Sequence, residues 1–288
     1  MLWVIFRFVG VVAPALILVP VFAAASDPNQ RHSFKLSIAS DVSMEVQGQN
    51  QKINSDTVLN YSWGHRGNER ILNFDSALVK VNKDGNQIMN IFMSLAKFAN
   101  TEDGKTEEVP FADASDDLKK ILRDSFGAPV CKLRVDENGK EVKREVIAGP
   151  GAKDFIDQGM IANARLFHPP FDRARDEWSA PTEVSMGNGG YAAGELTYKK
   201  VAGGKGGQAV KVSGTLTNDT FKLPGKPLAI KKAKYVFDGE QTYDPARREW
   251  VTGKLGIDVS FQMTAGDTPV ASAKGTMTLS LDPLPGKK

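Results

Sequence analysis

Between Phe34 and Val46 the chain alternates strictly. Phe34, Leu36, Ile38, Ser40, Val42, Met44 and Val46 occupy the even positions, and Lys35, Ser37, Ala39, Asp41, Ser43 and Glu45 the odd ones. A period of two is the mark of a β-strand with one face buried. A turn at Gln47 to Gln51, containing Gly48, leads into a second run that carries Ile53, Leu59, Tyr61 and Trp63 on one side, so the two runs predict a long hairpin. Near the other end the design recurs. Val251, Leu255, Ile257, Val259, Phe261 and Met263 face one way, Ala265 to Thr268 turns the chain, and Met277, Leu279 and Leu281 alternate with Thr276, Thr278 and Ser280.

Further strands are predicted over Ile71 to Val81, Glu195 to Lys200, Gln208 to Leu216 and Ala233 to Gln241, with a hairpin from Val130 to Val146 turning at Asn138-Gly139; Ile88 to Phe98 can be read as a strand or a short helix, and the preceding strand and Lys83 to Asn86 turn favour the strand. Helical spacing occurs twice. Leu118, Ile121, Leu122 and Phe126 form one stripe, with Asp113 or Ser115 as cap, Asp116 and Asp117 in the positive first turn and Gly127 at the end. Phe155, Ile156, Met160 and Ile161 form the other, within Lys153 to Leu166, and Pro169 and Pro170 stop it.

The expected fold is therefore mainly β of the α+β class: long, curved, antiparallel and half-barrel-like. A hairpin near each end and one helix in each half suggest two pseudo-repeats, residues 26–148 and 149–288, which can also form one continuous domain. Val251 to Met263 alone covers about 40 Å at ~3.3 Å per residue, a length over which strands twist, and Gly253, Gly256 and Gly275 lie where curvature can be accommodated. Ten apolar side chains left on an open face would forgo roughly 15 to 30 kcal/mol, more than the ~5 to 15 kcal/mol that stabilises a domain. Helices, the other half's sheet, an apolar ligand or a partner protein must cover that face.

The first residues read as a leader: Arg7, an apolar run from Phe8 to Phe22, then Ala23, Ala24, Ala25 and Ser26. Residues 1–25 are expected to be a cleaved signal peptide. The alternative is an uncleaved membrane anchor, since the run is close to the ~20 residues that span a bilayer, though Pro14 and Pro20 interrupt it. The expected location is the periplasm or the extracellular space.

Charge and chemistry add mainly exclusions. A net charge of +3 from 37 basic and 34 acidic residues lacks the clustered basic stripe that phosphate backbones call for, so nucleic acid is not expected as a partner. The densest basic run, Lys231, Lys232 and Lys234, reads as a solvated strand or loop edge. The single cysteine, Cys131, cannot form an internal disulfide and alternates with Leu133 and Val135 as a core residue. The three histidines, His32, His65 and His168, are far apart, so no metal site is expected; His32 reads as near the mature N-terminus, His65 as a turn residue and His168 as a loop residue.

Met44, Met263 and Met277 share the inward phase and could hold Cu(I), but methionine as core filler is the stronger reading. Glu107 and Glu108 read as solvated charge in a polar loop. Gly187-Asn188-Gly189-Gly190-Tyr191-Ala192 fits G-x-G-x-x-A formally, yet a strand-like run follows where a nucleotide-binding helix should begin, and the Gly203 to Gly207 loop lacks the spacing of a phosphate loop. No G-x-S-x-G elbow occurs, and no catalytic residue or cofactor is expected.

Four features together resemble a family of exported bacterial proteins known only as a domain of unknown function. They are the strand Met44 to Val46 with its Gly48 turn and return to Trp63, the helix Leu118 to Phe126 leading to the Asp136-Glu137-Asn138-Gly139 hairpin, Asp176-Glu177-Trp178 opening the second half, and the Tyr243-Asp244 turn before the last hairpin. The family carries no catalytic residues over to this chain. More remotely, the curved sheet with helices looks like the half-barrels of periplasmic lipoprotein carriers. The expected function is that of an exported, non-catalytic cell-envelope protein, binding an apolar or lipid-like ligand between sheet and helices, or else a structural or interaction module of the envelope with no small ligand.

Overall fold

The computed structural model describes residues 31–102, 104–136, 141–149, 171–187, 190–203, 206–246 and 249–284. The leader residues, the helix expected over Lys153 to Leu166, His168 and the Asn138-Gly139 turn lie outside the described residues. The first half holds strands β1 (Arg31–Val46), β2 (Gln49–Arg66), β3 (Glu69–Lys83), β4 (Asn86–Ser94), β5 (Lys97–Glu102), β6 (Lys105–Pro110), β7 (Cys131–Val135) and β8 (Glu141–Val146). The second holds β9 (Glu177–Gly187), β10 (Gly190–Val201), β11 (Gln208–Lys222), β12 (Leu228–Asp244), β13 (Glu249–Ala265) and β14 (Thr268–Leu284). Between β6 and β7 lies helix α1 (Asp116–Leu122), followed directly by a π-turn over Arg123–Gly127.

All of these strands belong to one antiparallel sheet, ordered β6-β5-β4-β3-β2-β1-β14-β13-β12-β11-β10-β9, with β7 and β8 branching from β3. Each half of the chain is an up-and-down meander. Spatial order follows chain order except at one place, in the middle, where the first and last strands lie side by side and pair from Ser33↔Leu284 to Val46↔Ala271. The sheet is not closed, because among the described residues β6 and β9 do not pair with each other. Both edges are chemically blunted. Lys105, Glu107, Glu108 and Pro110 lie on β6, and Glu177, Pro181 and Glu183 on β9, which are residues that discourage edge-to-edge addition. Glu107 and Glu108 thus belong to an edge strand rather than to the expected loop.

The predicted alternation is what the strands display. Phe34, Leu36, Ile38, Val42 and Met44 of β1, Ile53, Leu59, Tyr61 and Trp63 of β2, Leu255, Ile257, Val259, Phe261 and Met263 of β13 and Met277, Leu279 and Leu281 of β14 are buried in one continuous core. Where β1 and β2 break the apolar pattern, Ser40 faces Ser55 and their hydroxyls hydrogen-bond at 2.6 Å, so a polar pair sits inside without a desolvation penalty. The opposite face is polar, with Lys35, Asp41, Lys52, Lys254, Asp258 and Lys274 on the central strands and cross-strand ion pairs such as Lys52–Asp41 at 3.0 Å and Lys211–Asp238 at 3.3 Å. Tight turns fix the register: Gln47 and Gly48 at φ 52 and 80, and Asp84 and Gly85 at φ 49 and 82, are two-residue hairpin loops with both central residues left-handed.

Three expectations need correction. The run Ile71 to Val81 is not one uninterrupted alternation: Tyr61 pairs Phe74 while Asn60 pairs Ser76, so Asp75 is an extra residue that switches the buried phase from Leu72 and Phe74 to Ala77 and Val81. Lys231, Lys232 and Lys234 sit on β12, which is flanked on both sides, and they straddle a bulge opposite Gln262 and Ser260 with Lys232 at φ 54. That run is solvated, but it is not at an edge. His65 lies within β2, paired with Arg70, rather than in the turn that follows.

The stretch Ile88 to Phe98 is extended as expected, but it spans two strands, β4 and the start of β5, with a turn at Leu95 and Ala96. In α1, Ser115 is the cap, its hydroxyl accepting from the Leu118 amide at 3.3 Å, and the π-turn directs Phe126 onto the core beside Leu122. Cys131 is buried where β7 pairs the first residues of β3.

At the seam between β1 and β14 a glycine lets the two backbones approach closely. A Cβ on Gly275 would lie 2.2 Å from the Asp41 carbonyl oxygen and 2.6 Å from the Val42 Cα, whereas one on Gly256 meets only the Asp238 carbonyl oxygen at 3.4 Å. Gly275→Ala is therefore expected to lower unfolding stability by about 2 kcal/mol or more, and Gly256→Ala to change it by less than about 1 kcal/mol. Urea denaturation of both variants checks this, and equal effects would contradict the packing described at the seam.

Candidate functional site

The inward phase of a β-strand is normally apolar, so charged side chains found there mark a departure. Arg70 on β3 stands in phase with Leu72 and Phe74 and is 3% exposed; Glu249, the first residue of β13, is separated from the inward run of Leu255 and Ile257 by the extra residue Val251, and is nonetheless 0% exposed. Their strands are four steps apart in the sheet, about 19 Å along a flat sheet at ~4.8 Å per step. Concavity turns the two side chains toward each other. The carboxylate of Glu249 also meets His32 of β1, Nδ1 to Oε2, at 3.8 Å, reaching past the end of β14.

Burial lowers the Arg70 guanidinium to about 10, and the charges of Glu249, Tyr243 and Asp136 act in the opposite sense. Tyr61 is pushed well above its ordinary value by burial and then by the Glu249 charge. Burial likewise raises Tyr198, opposed by its contact with Thr182, and Tyr235. These phenols are held neutral, so they serve as hydrogen-bonding and packing groups rather than as bases. Gln241 is buried two residues before Tyr243 on the same strand.

Beside the charges lies an aromatic box. Phe171, which belongs to no strand, stacks on Tyr243 of β12 at 3.9 Å and 8°, and meets Trp178 of β9 edge-on at 5.6 Å and 79° and Trp250 of β13 at 6.0 Å and 75°. Trp178 in turn stacks on Tyr198 at 5.6 Å, and Tyr243 meets Trp250 at 5.2 Å. One phenyl ring touching both β9 and β13, four steps apart, shows that the second half of the sheet curls strongly.

The residues weighed from sequence are not brought together. Met44, Met263 and Met277 are all buried on the inward face, His32 joins Glu249, and Cys131 packs under the β7–β8 branch. Among the described residues no three His, Cys, Asp or Glu side chains form a metal-holding group, and no helix is long and apolar enough to cross a membrane. Arg70 and Glu249 were not singled out by sequence reasoning. For Arg70 the available signal was phase, a charge at the inward parity of an otherwise apolar strand, which the Asp75 bulge hides; for Glu249 the extra residue Val251 breaks the phase and leaves no such signal.

Two outcomes follow. Arg70→Met removes the guanidinium charge that acts on buried Glu249 and is expected to cost about 3 kcal/mol, while Arg70→Met with Glu249→Leu recovers at least about half of that; urea denaturation of the single and double variants measures the coupling, and simply additive losses would refute it. Tyr61, Tyr198 and Tyr235, three of the five tyrosines, have raised folded values, so their contribution is complete below pH 10 and is lost as pH rises beyond it. Arg70, lowered to about 10 from 12.5, acts in the opposite direction there, one group against three. Phenolate absorbance from the buried tyrosines should therefore appear only together with loss of the near-ultraviolet dichroism, in one alkaline transition.

No family model and no curated protein matches this sequence. Solved structures with some likeness include DynF from the dynemicin biosynthesis pathway of Micromonospora chersina, 8% identical with a TM-score of 0.23, covering 92% of this chain and 88% of that one. The translocator domain of autotransporter NalP from Neisseria meningitidis is 9% identical with a TM-score of 0.22, covering 89% and 90%, and Pseudomonas aeruginosa OpdQ is 6% identical with a TM-score of 0.24, covering 90% and 100%. At such scores the likeness carries no argument about fold or function.

Proposed function

We propose that the protein is an exported, non-catalytic component of the cell envelope that holds an apolar, lipid-like ligand against the concave face of its sheet. The observation that carries this reading is the continuity of the inward apolar face across both meanders, ending at a small set of converging polar groups, Arg70, Glu249 and His32. A mostly apolar concavity with a few placed polar groups is the usual composition of a site for such molecules. Export is supported by Arg7, the apolar run from Phe8 and the Ala23-Ala24-Ala25 segment. The polar outer face is the reverse of a lipid-facing barrel, whose apolar side chains point outward, and so favours a protein that works in water.

A second reading has its own observation. Leu36, Leu196, Tyr198, Val212 and Leu279 are all 0% exposed, so the middle of the inward face is already sealed by protein. A sealed interior fits a structural or interaction module whose edges or loops meet another envelope protein. Organic extraction of the mature protein purified from its own export route, followed by mass spectrometry, separates the two. The binding reading expects an apolar compound near one equivalent and saturable uptake of N-phenylnaphthylamine. Absence of both would overturn it in favour of the module, for which crosslinking in cells should recover one defined partner.

A further inference from the structure

The sealed interior sets a condition on any ligand: something must leave before anything enters. Nearly all of the inward side chains are fixed by strand pairing on both sides. Phe171 is one of the few buried exceptions among the described residues, with Leu122, Phe126, Val130 and Leu223, and it stands apart from them in that residues 173–177, which tether it, are all exposed while its own ring is only 6% exposed. The tether is held by contacts that water can replace: Asp172 Oδ1 accepts from the amides of Ala174 at 2.9 Å and Arg175 at 3.1 Å, and Lys200 Nζ donates to the Arg173 carbonyl at 3.0 Å. Lys200 Nζ also stands 5.4 Å from the centre of the Phe171 ring, at the rim of the box.

The box itself is shaped for a flat ring. Tyr243 offers a parallel face at 3.9 Å, and Trp178 and Trp250 close two sides nearly perpendicular to it, an arrangement that rewards a planar π-system over a branched aliphatic group. Tyr243 of the box and Glu249 both act on the Arg70 guanidinium, so the polar cluster lies near the box, where a ring-bearing ligand could place a hydrogen-bonding end.

We propose that Phe171 is a built-in occupant of a ring-binding subsite formed by Trp178, Tyr243 and Trp250, and that it is withdrawn when the protein takes up an apolar ligand ending in an aromatic or conjugated ring. This rests on the binding reading above and deepens it: ligand and Phe171 compete for one place, so affinity in the native chain is reduced by the fraction of molecules whose box is open.

The experiment uses the mature wild-type protein with N-phenylnaphthylamine, which is larger than the space a single phenyl group would leave. Trypsin cleavage after Arg173 and Arg175, followed peptide by peptide by mass spectrometry, should quicken about fivefold at saturating probe, because displacement of Phe171 frees the tether. Phe171→Ala should be cleaved there quickly without probe and bind the probe about tenfold more tightly, while Phe126→Ala, a void of the same size beneath the π-turn, should leave affinity within about twofold. If the wild type binds the probe with no change in cleavage at these arginines, and Phe171→Ala binds no better, the competition is overturned while the binding reading stands. If neither protein binds, both fall.

Discussion

The structure depends on the backbone pairing of its first and last strands. Paired residues of β1 and β14 are 225 (Val46↔Ala271) to 251 (Ser33↔Leu284) positions apart in the chain, yet the two strands hydrogen-bond along nearly their full length and turn two separate meanders into one sheet. Without that seam each meander would present a bare ladder of amides and carbonyls at its inner edge, as well as an apolar face cut in half. The close approach at Gly275 shows how tightly the join is made. Because the paired residues are so far apart in sequence, forming the seam carries a large loop-closure cost.

Curvature follows from the same seam. A long twisted sheet with one apolar face lowers its free energy by curling that face inward, and among the several interruptions of regular pairing, Asp75 in β3 and the bulge at Lys232 in β12 fall in strands placed on either side of the centre. Curling makes inward side chains converge. Arg70, Glu249 and His32, contributed by strands that a flat sheet would hold apart, therefore meet in a water-poor environment, where a charge is tolerated only beside its opposite. The aromatic box arises in the same way from β9, β12 and β13.

The site and the seam are thus two consequences of one geometry. His32 of β1 and Glu249 of β13 lie beyond the last described pairs that those strands make with β14. A core that is apolar along its length and polar at one end has a direction, and that direction is the basis for reading the concave face as a place for an amphipathic molecule.

How much of this was legible beforehand differs from element to element. The strands β1, β2, β13 and β14, their buried faces, the Gln47-Gly48 turn and the Ser115 cap are local matters: a period of two, a pair of left-handed residues and a hydroxyl before an apolar stripe are written within a few neighbouring positions. Alternation states which side chains are buried but not against what. The partnership of β1 with β14, the phase change at Asp75, the internal position of the Lys231 to Lys234 run and the convergence of Arg70 with Glu249 depend on which strand lies beside which. That choice is made by the curvature and closure of the whole sheet, and no short stretch of sequence encodes it.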